Sequence, residues 1–582
     1  MQYKKEELTR SSHNMNWEIC TALQTHQSKI GGKRLLNREM TDVLEDSSMQ
    51  IPEKAKQEGL VDYADRLSGL YARTYDPLNR KQKGQFFTPK QVSVYMASLF
   101  EIHHNKIRLL DPGAGTGVLT AAFCERILSK GEVVDLTLDA YENDANLLPL
   151  LEKVLESCKL ELEEKGNNVG YNICGQDFIL HNEGYFRESD LFLRSENPIS
   201  YDFVISNPPY YKLNKDSPQS RVTMKLIYGQ PNIYMLFMAL SANMIRSGGE
   251  IVFITPRSFC SGLYYKKFRE FLLKNIQITD IHIFESRKDI FSRDEILQEN
   301  IIIKGRKEGK MNENEKVIIS TSKNRNLNKL KNFEVSENDI FYYKNGDVFI
   351  RIPTSLSDVE ILRIVDSWPN TLKDLGLEIS TGPVVPFRAK DYLLPELKEN
   401  SKSAPLLWMH NIQGTGIVWP LRKNKKALAI HVSGKTMPLL LHVKNYVLVK
   451  RFTSKEQKRR LYAAVLLKSD FPYKRVGIEN HVNYIHKPKG ALSVYEAFGI
   501  AAILNTTVID NYFRTLNGNT QVNSTDIRSL PFPQIKDIIK IGEIVYKSQS
   551  YENSLNLDII VAEILGTNVK MEKTKKGVAK DE

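Results

Sequence analysis

Long apolar runs are missing from this chain. No stretch approaches the roughly 20 residues needed to cross a bilayer as a helix, and no apolar signal segment stands behind the opening Met-Gln-Tyr-Lys-Lys-Glu-Glu. The expectation is a soluble protein of the prokaryotic cytoplasm with no membrane partner. Cysteine is scarce as well. Cys20, Cys124, Cys158, Cys174 and Cys260 are odd in number and scattered, with no Cys-x-x-Cys or Cys/His cluster. They support neither a disulfide framework nor a zinc site, and no metal is expected. Acidic residues fall short of basic ones, which leaves a net charge of +12 and hints at a polyanionic partner. A length of 582 residues exceeds one ordinary core, so two or three domains are expected.

What is present centres on residues 201–211, Tyr-Asp-Phe-Val-Ile-Ser-Asn-Pro-Pro-Tyr-Tyr. A strand through Phe203, Val204 and Ile205 must stop at two consecutive prolines, which fix φ and remove two backbone donors. The Asn207 amide and the Pro208 carbonyl are left as acceptors in a rigid loop ahead of Pro209. Tyr210 adds an aromatic face. Two such oxygens at a fixed separation can grip both hydrogens of an exocyclic amine, and the ring can stack on a flat heterocycle. A plain strand-ending turn is the alternative for these four residues alone.

Upstream, Leu60, Ala64, Leu67 and Tyr71 recur at helical spacing and predict a packing helix within 51–75. In Gln85-Phe-Phe-Thr-Pro-Lys, Thr88 is expected as the N-cap of a helix and Pro89 as its first residue. Lys106–Leu119 then reads as a strand, a glycine-rich turn and a helix start. Gly113, Gly115 and Gly117 allow close backbone approach to a ligand. No Lys-Ser/Thr follows them, so this is not a phosphate-gripping loop. Asp111 at the strand end suits an ammonium. A second strand, 133–141, ends in Glu142, positioned for ribose hydroxyls. A third, 171–178, ends in Asp177 and Phe178, an acceptor for an adenine amino group and a cover for its ring. Four successive strand ends thus carry Asp111, Glu142, Asp177 and Asn207.

These motifs resemble S-adenosylmethionine-dependent amino-methyltransferases. More closely, they look like the γ-class adenine-N6 DNA methyltransferases of restriction–modification systems, TaqI-like and, in length and C-terminal signature, BsuBI/PstI-like. The resemblance covers roughly 79–305 and, more loosely, 375–535. It implies a Rossmann-like α/β domain with a mostly parallel seven-stranded sheet, followed by a mixed α/β target-recognition domain. It also implies that Thr88 and the Asp111–Gly117 loop contact the methionine moiety of S-adenosylmethionine, Glu142 its ribose, and Asp177 and Phe178 its adenine. The target adenine would be flipped out of double-stranded DNA and held by Asn207–Tyr210, with Phe291 facing Tyr210 across it. A cognate restriction endonuclease would be a separate chain.

The expected organisation is an N-terminal helical extension (1–78), a catalytic domain (79–310), a charged, irregular bridge (311–375), the recognition domain (376–550) and a tail (551–582). A long apolar helix from Pro231 should stop at Ser247-Gly248-Gly249, and 278–284 with 300–304 should pair as strands. Between 401 and 475, 16 Lys/Arg stand against two acids, Glu456 and Asp470. Arg422, Lys423, Lys425, Lys426, Lys450, Arg451, Arg459 and Arg460, interleaved with Trp408, Trp419 and Tyr446, are the expected phosphate-backbone footprint. The polar run 517–533 is open to two readings, DNA contact or helix capping. The rival functions are an RNA adenine methyltransferase and a catalytically idle DNA-binding subunit.

Overall fold

The computed structural model describes residues 50–186, 199–224, 231–285, 299–307, 316–323, 327, 329–344, 346–398, 402–421, 426–453, 457–518, 521–548 and 554–566. Two compact units are delimited, Met1–Glu53 and Lys54–Glu582. Only residues 50–53 of the first are described, and all that follows concerns the second.

Helices α1 (Leu60–Thr74) and α2 (Lys90–Ser98) precede an alternating run: β1 (Lys106–Pro112), α3 (Val118–Lys130), β2 (Asp135–Tyr141), α4 (Leu148–Glu164), β3 (Asn168–Cys174), β4 (Tyr201–Ser206), α5 (Ile233–Met244) and β5 (Ile245–Pro256). Then come α6 (Lys266–Asn275), β6 (Gln277–Phe284), β7 (Asn300–Arg306), β8 (Lys316–Ser322) and β9 (Lys331–Ser336). One sheet orders these strands β3-β2-β1-β4-β5-β7-β6-β8-β9. The first five are parallel, while β7 runs antiparallel to β5 and β6. Strand ends of the parallel set therefore share one edge, and α5 is buried on nearly every side, in keeping with its lack of charged residues.

Three expectations are corrected. The sheet has nine strands instead of seven, because β8 pairs parallel to β6 and β9 extends it. Those strands come from the stretch expected to be an irregular bridge. Flanking charges hid the β-branched run Val317-Ile318-Ile319 there, whose alternate residues Val317 and Ile319 are buried. Finally, β5 begins at Ile245, so Ser247-Gly248-Gly249 lies inside the strand, after a register shift against β4.

The hairpin β10 (Phe341–Lys344) and β11 (Asp347–Ile350) and helix α7 (Leu356–Asp366) lead into the C-terminal half. There β12 (Glu378–Thr381), β13 (Tyr446–Lys450), β14 (Ala463–Leu466) and β15 (Val482–His486) form an antiparallel sheet ordered β12-β15-β13-β14. A five-stranded sheet lies beside it in the chain, and α8 (Val494–Leu504), α9 (Thr507–Leu516), α10 (Ile535–Ser548) and α11 (Ser554–Leu565) complete the half. One core joins Ile361 and Leu362 of α7 to Val447, Ile485, Ile503, Ile541 and Val561. Helix α11 thus packs into the domain, which corrects the tail drawn from residue 551. Helices α8 and α10 cross at glycines: a Cβ on Gly542 would stand 1.9 Å from the Tyr495 carbonyl oxygen, so only glycine permits this approach.

Candidate active site at the strand ends

The carboxyl ends of β1 to β4 bring Asp111, Glu142, Asp177 and Asn207 to one edge of the sheet, where open α/β folds bind ligands. Ser206 ties the end of β4 to that of β1, its Oγ donating to the Pro112 carbonyl at 2.6 Å. At Asn207 both amide protons are engaged. Nδ2 donates to the Phe86 carbonyl at 2.7 Å and to Thr88 Oγ1 at 3.0 Å. Oδ1 is thereby aimed the other way, where it accepts from the Tyr210 hydroxyl at 2.6 Å. The same hydroxyl lies 2.9 Å from the Ile254 carbonyl of β5. A phenol has one proton, so it serves one of these acceptors at a time. Burial pushes the Tyr210 pKa well above its ordinary value, which keeps the hydroxyl a donor.

Two expectations about this loop change. Thr88 is not a helix N-cap: Pro89 takes that place, its carbonyl accepting from Val92 and Ser93, while buried Thr88 braces Asn207. Tyr210 is not an open stacking platform either. It is 7 % exposed, with Phe86 tilted against it at 5.9 Å and Tyr234 edge-on at 6.3 Å.

The glycine turn is built as its spacing implies. Gly113 and Ala114 donate to the Tyr141 carbonyl, and Gly113, Gly115 and Gly117 all have positive φ. A Cβ on Gly117 would come within 3.0 Å of Leu151, which closes α3 onto α4. Asp111 is 1 % exposed. Its Oδ2 accepts from Thr120 Oγ1 at 2.7 Å, whereas Oδ1 is buried with no partner among the described residues. Desolvation pushes this carboxyl up to about 7. Glu142 is also buried and raised by burial, against the pull of amides from Gly115 (2.9 Å) and Asp144 (2.8 Å). Asp177 begins one helical turn, its Oδ1 capping the Ile179 and Leu180 amides while Oδ2 accepts from Gln219 at 2.9 Å. Phe178 packs between Tyr141 and Phe237 at ring separations of 5.0 and 5.1 Å. Phe291 lies outside the described residues.

Asp144 was not foreseen. Burial works to raise its carboxyl, but Lys83, Gln85, the Asn146 amide and Tyr71 all donate to it and together hold it at about 2. Lys83 approaches to 2.8 Å and Tyr71 to 3.0 Å, so the segment before Phe86 and helix α1 are both anchored beside Glu142. Ser68 of α1 adds a 2.6 Å contact to Thr116 in the glycine turn. The one signal in the sequence was an acid two residues beyond Glu142.

Comparison with known proteins places this arrangement. Residues 132–291 match the Eco57I restriction-modification methylase family. The Type II methyltransferase M.PstI of Providencia stuartii is 36% identical over 492 residues, 82% of this chain and 94% of the relative. The chain belongs to the Type II methyltransferases. M.BsuBI of Bacillus subtilis, another of them, is 36% identical over 498 residues, 84% of this chain and 96% of the relative. The BsuBI/PstI resemblance therefore holds across nearly the whole length. Among solved structures, a nuclease-deletion mutant of the Type ISP restriction-modification enzyme LlaGI covers 92% of this chain and 60% of its own at 14% identity and a TM-score of 0.45. S-adenosylmethionine is the cofactor of this Type II methyltransferase, and Asp111 fits it: a buried carboxylate oxygen without a partner is matched to an ammonium.

In the C-terminal half of the methyltransferase, the expected basic footprint divides. Arg422, Lys423 and Lys425 lie outside the described residues. Lys426 is exposed, its Nζ 4.4 Å from the centre of the Trp408 ring, and half-buried Lys450 sits 4.8 Å from that of Tyr462. Arg451 donates to the Asn480 carbonyl at 3.0 Å, and Arg459 to that of Asn505. Arg460 is a correction. It is 1 % exposed, donates to the Asn517 carbonyl at 3.1 Å and to Thr453 at 3.2 Å, and cannot meet a phosphate from there. Trp408 and Tyr446 are core residues, and Trp419 bonds the Leu428 carbonyl, so this aromatic trio supports the fold. The 517–533 run caps helices: Asn523 and Asp526 form a capping box, and Asn517 binds Asp526 at 2.6 Å.

Proposed function

We propose that the chain is a site-specific DNA adenine-N6 methyltransferase, the modification enzyme of a Type II restriction–modification system. One observation carries this reading: Asn207 has both amide protons committed to Phe86 and Thr88, so its Oδ1 at the end of β4 is left as an acceptor, met by the Tyr210 hydroxyl, one residue from the Pro208 carbonyl. Two acceptors in a proline-fixed loop suit an amine with two N–H bonds, and adenine N6 is such an amine.

The adenine must leave the duplex to reach this loop, at a cost of a few kcal/mol. Its amine would displace the Tyr210 hydroxyl from Asn207 Oδ1, and the phenol proton would turn to the Ile254 carbonyl, already 2.9 Å away. No acceptor is then stranded. Accepting both N–H bonds draws the N6 lone pair out of the ring and aims it at the incoming methyl. S-adenosylmethionine supplies an electrophilic methyl on sulfonium, so positioning carries most of the catalysis. Asp111 would hold the ammonium of the methionine moiety, supported by Thr88 and the backbone of Gly113, Gly115 and Gly117. Glu142 would bind the ribose, and Asp177 and Phe178 would flank the adenine of the cofactor. Lys426 and Lys450 would meet backbone phosphates.

Modification-sensitive sequencing of DNA from cells expressing the chain, beside an Asn207→Ala control, tests this reading. The expected result is N6-methyladenine confined to one short motif and absent from the control. Unmodified DNA despite folded protein that binds S-adenosylmethionine would refute it, and methylated RNA in the same cells would redirect it.

A further inference from the structure

A second polar device stands in the C-terminal half, where the turn Glu479-Asn480-His481 joins the five-stranded sheet to β15. Glu479 is 1 % exposed, whereas the His481 side chain is 43 % exposed. The two are bonded twice. His481 Nδ1 donates to Glu479 Oε1, and the His481 backbone amide donates to Oε2 at 3.1 Å. A carboxylate that holds Nδ1–H fixes both the tautomer and the ring orientation, and it turns Nε2 outward. Nε2 has no partner among the described residues. The Phe452 ring meets the imidazole edge-on at 4.7 Å and limits its swing.

The position of this dyad is informative. Arg451 donates its amide to the His481 carbonyl at 3.0 Å, and its own carbonyl accepts from Val522 at 2.7 Å. The segment leading to Val522 runs from the end of α9, where Arg257, directly after β5, donates to the Arg514 carbonyl at 2.9 Å. A Cβ on Gly518 would stand 2.9 Å from Arg257. The His481 turn is thus bonded through Arg451 to Val522, and the end of α9 is bonded to Arg257 directly after β5, the strand that pairs with β4. Lys450, paired with Val482, and Arg451 bring positive charge to the turn.

Burying a carboxylate is expensive unless it is fully bonded, and here both of its oxygens are spent on His481, Oε1 on the imidazole and Oε2 on the backbone amide. We infer that His481, oriented by Glu479, is a DNA-contacting residue of the recognition half, with Nε2 bonding a base edge or phosphate of the duplex next to the extruded adenine. This inference rests on the functional reading above.

The test uses the full chain with His481→Ala and Glu479→Gln. Fluorescence anisotropy on a duplex carrying the methylated motif, and on one lacking it, gives DNA affinity. Steady-state methylation separates KM from kcat, and calorimetry gives S-adenosylmethionine affinity. His481→Ala should raise Kd and KM for the motif duplex on the order of tenfold. The kcat, cofactor affinity and melting temperature should stay near wild type, and Glu479→Gln should fall between. Unchanged DNA affinity in folded His481→Ala protein overturns the assignment, as do affinity losses that merely track lower melting temperatures in both variants. A wild-type chain that methylates no DNA overturns the functional reading instead.

Discussion

The two halves of the molecule bury polar residues for different ends. At the strand ends, buried groups are held but not exhausted. Asp111 keeps one oxygen unpaired, and Asn207 spends its protons on braces so that its oxygen faces a displaceable hydroxyl. In the C-terminal half, several buried polar groups are consumed by the fold, although Arg451 Nε and Asn480 Oδ1 find no partner among the described residues. Arg460 closes the end of α9, Asn505 bonds the Ala463 amide and carbonyl in β14, and Asn517 and Asp526 cap each other. At Asp111 the unpaired oxygen faces a ligand's side of the fold, whereas Arg460, Asn505 and Asn517 act as struts. A charge surplus in the sequence cannot tell the two apart.

The largest effect that could break this contrast belongs to Asn207. Asn207→Ala should lower kcat by about a thousandfold or more while leaving S-adenosylmethionine affinity within about twofold, measured by single-turnover methylation and calorimetry; equal loss of both would erase the separation of roles. Arg460→Ala comes next. It removes a buried donor to the Asn517 carbonyl and should cost about 3 kcal/mol in denaturant unfolding, yet the salt dependence of DNA binding by the folded fraction should not change. A flattened salt slope would return Arg460 to the DNA footprint. Lys426→Ala should do the opposite, leaving stability alone and lowering the slope of log affinity against log salt by about 0.9.

A smaller effect sharpens the comparison through pH. The Asp111 carboxyl titrates near 7 in the folded chain against 3.8 for an ordinary aspartate. Between those values the native state holds a proton that the unfolded chain has lost, so this group's contribution to stability declines as pH rises from about 4 to 7. An ammonium favours the ionised form, so cofactor binding should release a proton below pH 7 and tighten, by at most about tenfold, between pH 6 and 7. Calorimetry in buffers of different ionisation enthalpy reads that proton, and Asp111→Asn should remove the dependence. Proton release that survives in Asp111→Asn would assign the titration to another group.

Much of the catalytic half was legible because its motifs are local. A strand, a turn residue and an acid at the next strand end follow each other in the chain, and the doubly wound connection carries them to one edge. The same logic placed strands at 278–284 and 300–304, observed at Gln277–Phe284 and Asn300–Arg306, and a helix within 51–75, observed at Leu60–Thr74. Expectations failed where an outcome depended on residues far away. Thr88 has the sequence signature of a cap, but Asn207, 119 residues on, claims its hydroxyl. Strands β8 and β9 are flanked by charge, and they become strands by pairing, β8 with β6 and β9 with β8.

Sequence alone determined the order of the strand ends, the rigid Asn-Pro-Pro-Tyr loop and the glycine turn, because proline and glycine act on their own φ angles whatever surrounds them. Tertiary structure decided which of those groups keeps a free atom. Whether Asp111 Oδ1 has a partner, whether Tyr210 is open or buried and whether Arg460 reaches solvent depend on what packs against them, with bonded partners from 9 to 57 residues away in the chain. Burial, which sets the cost of an unpaired polar atom, is a property of that packing and has no local signature.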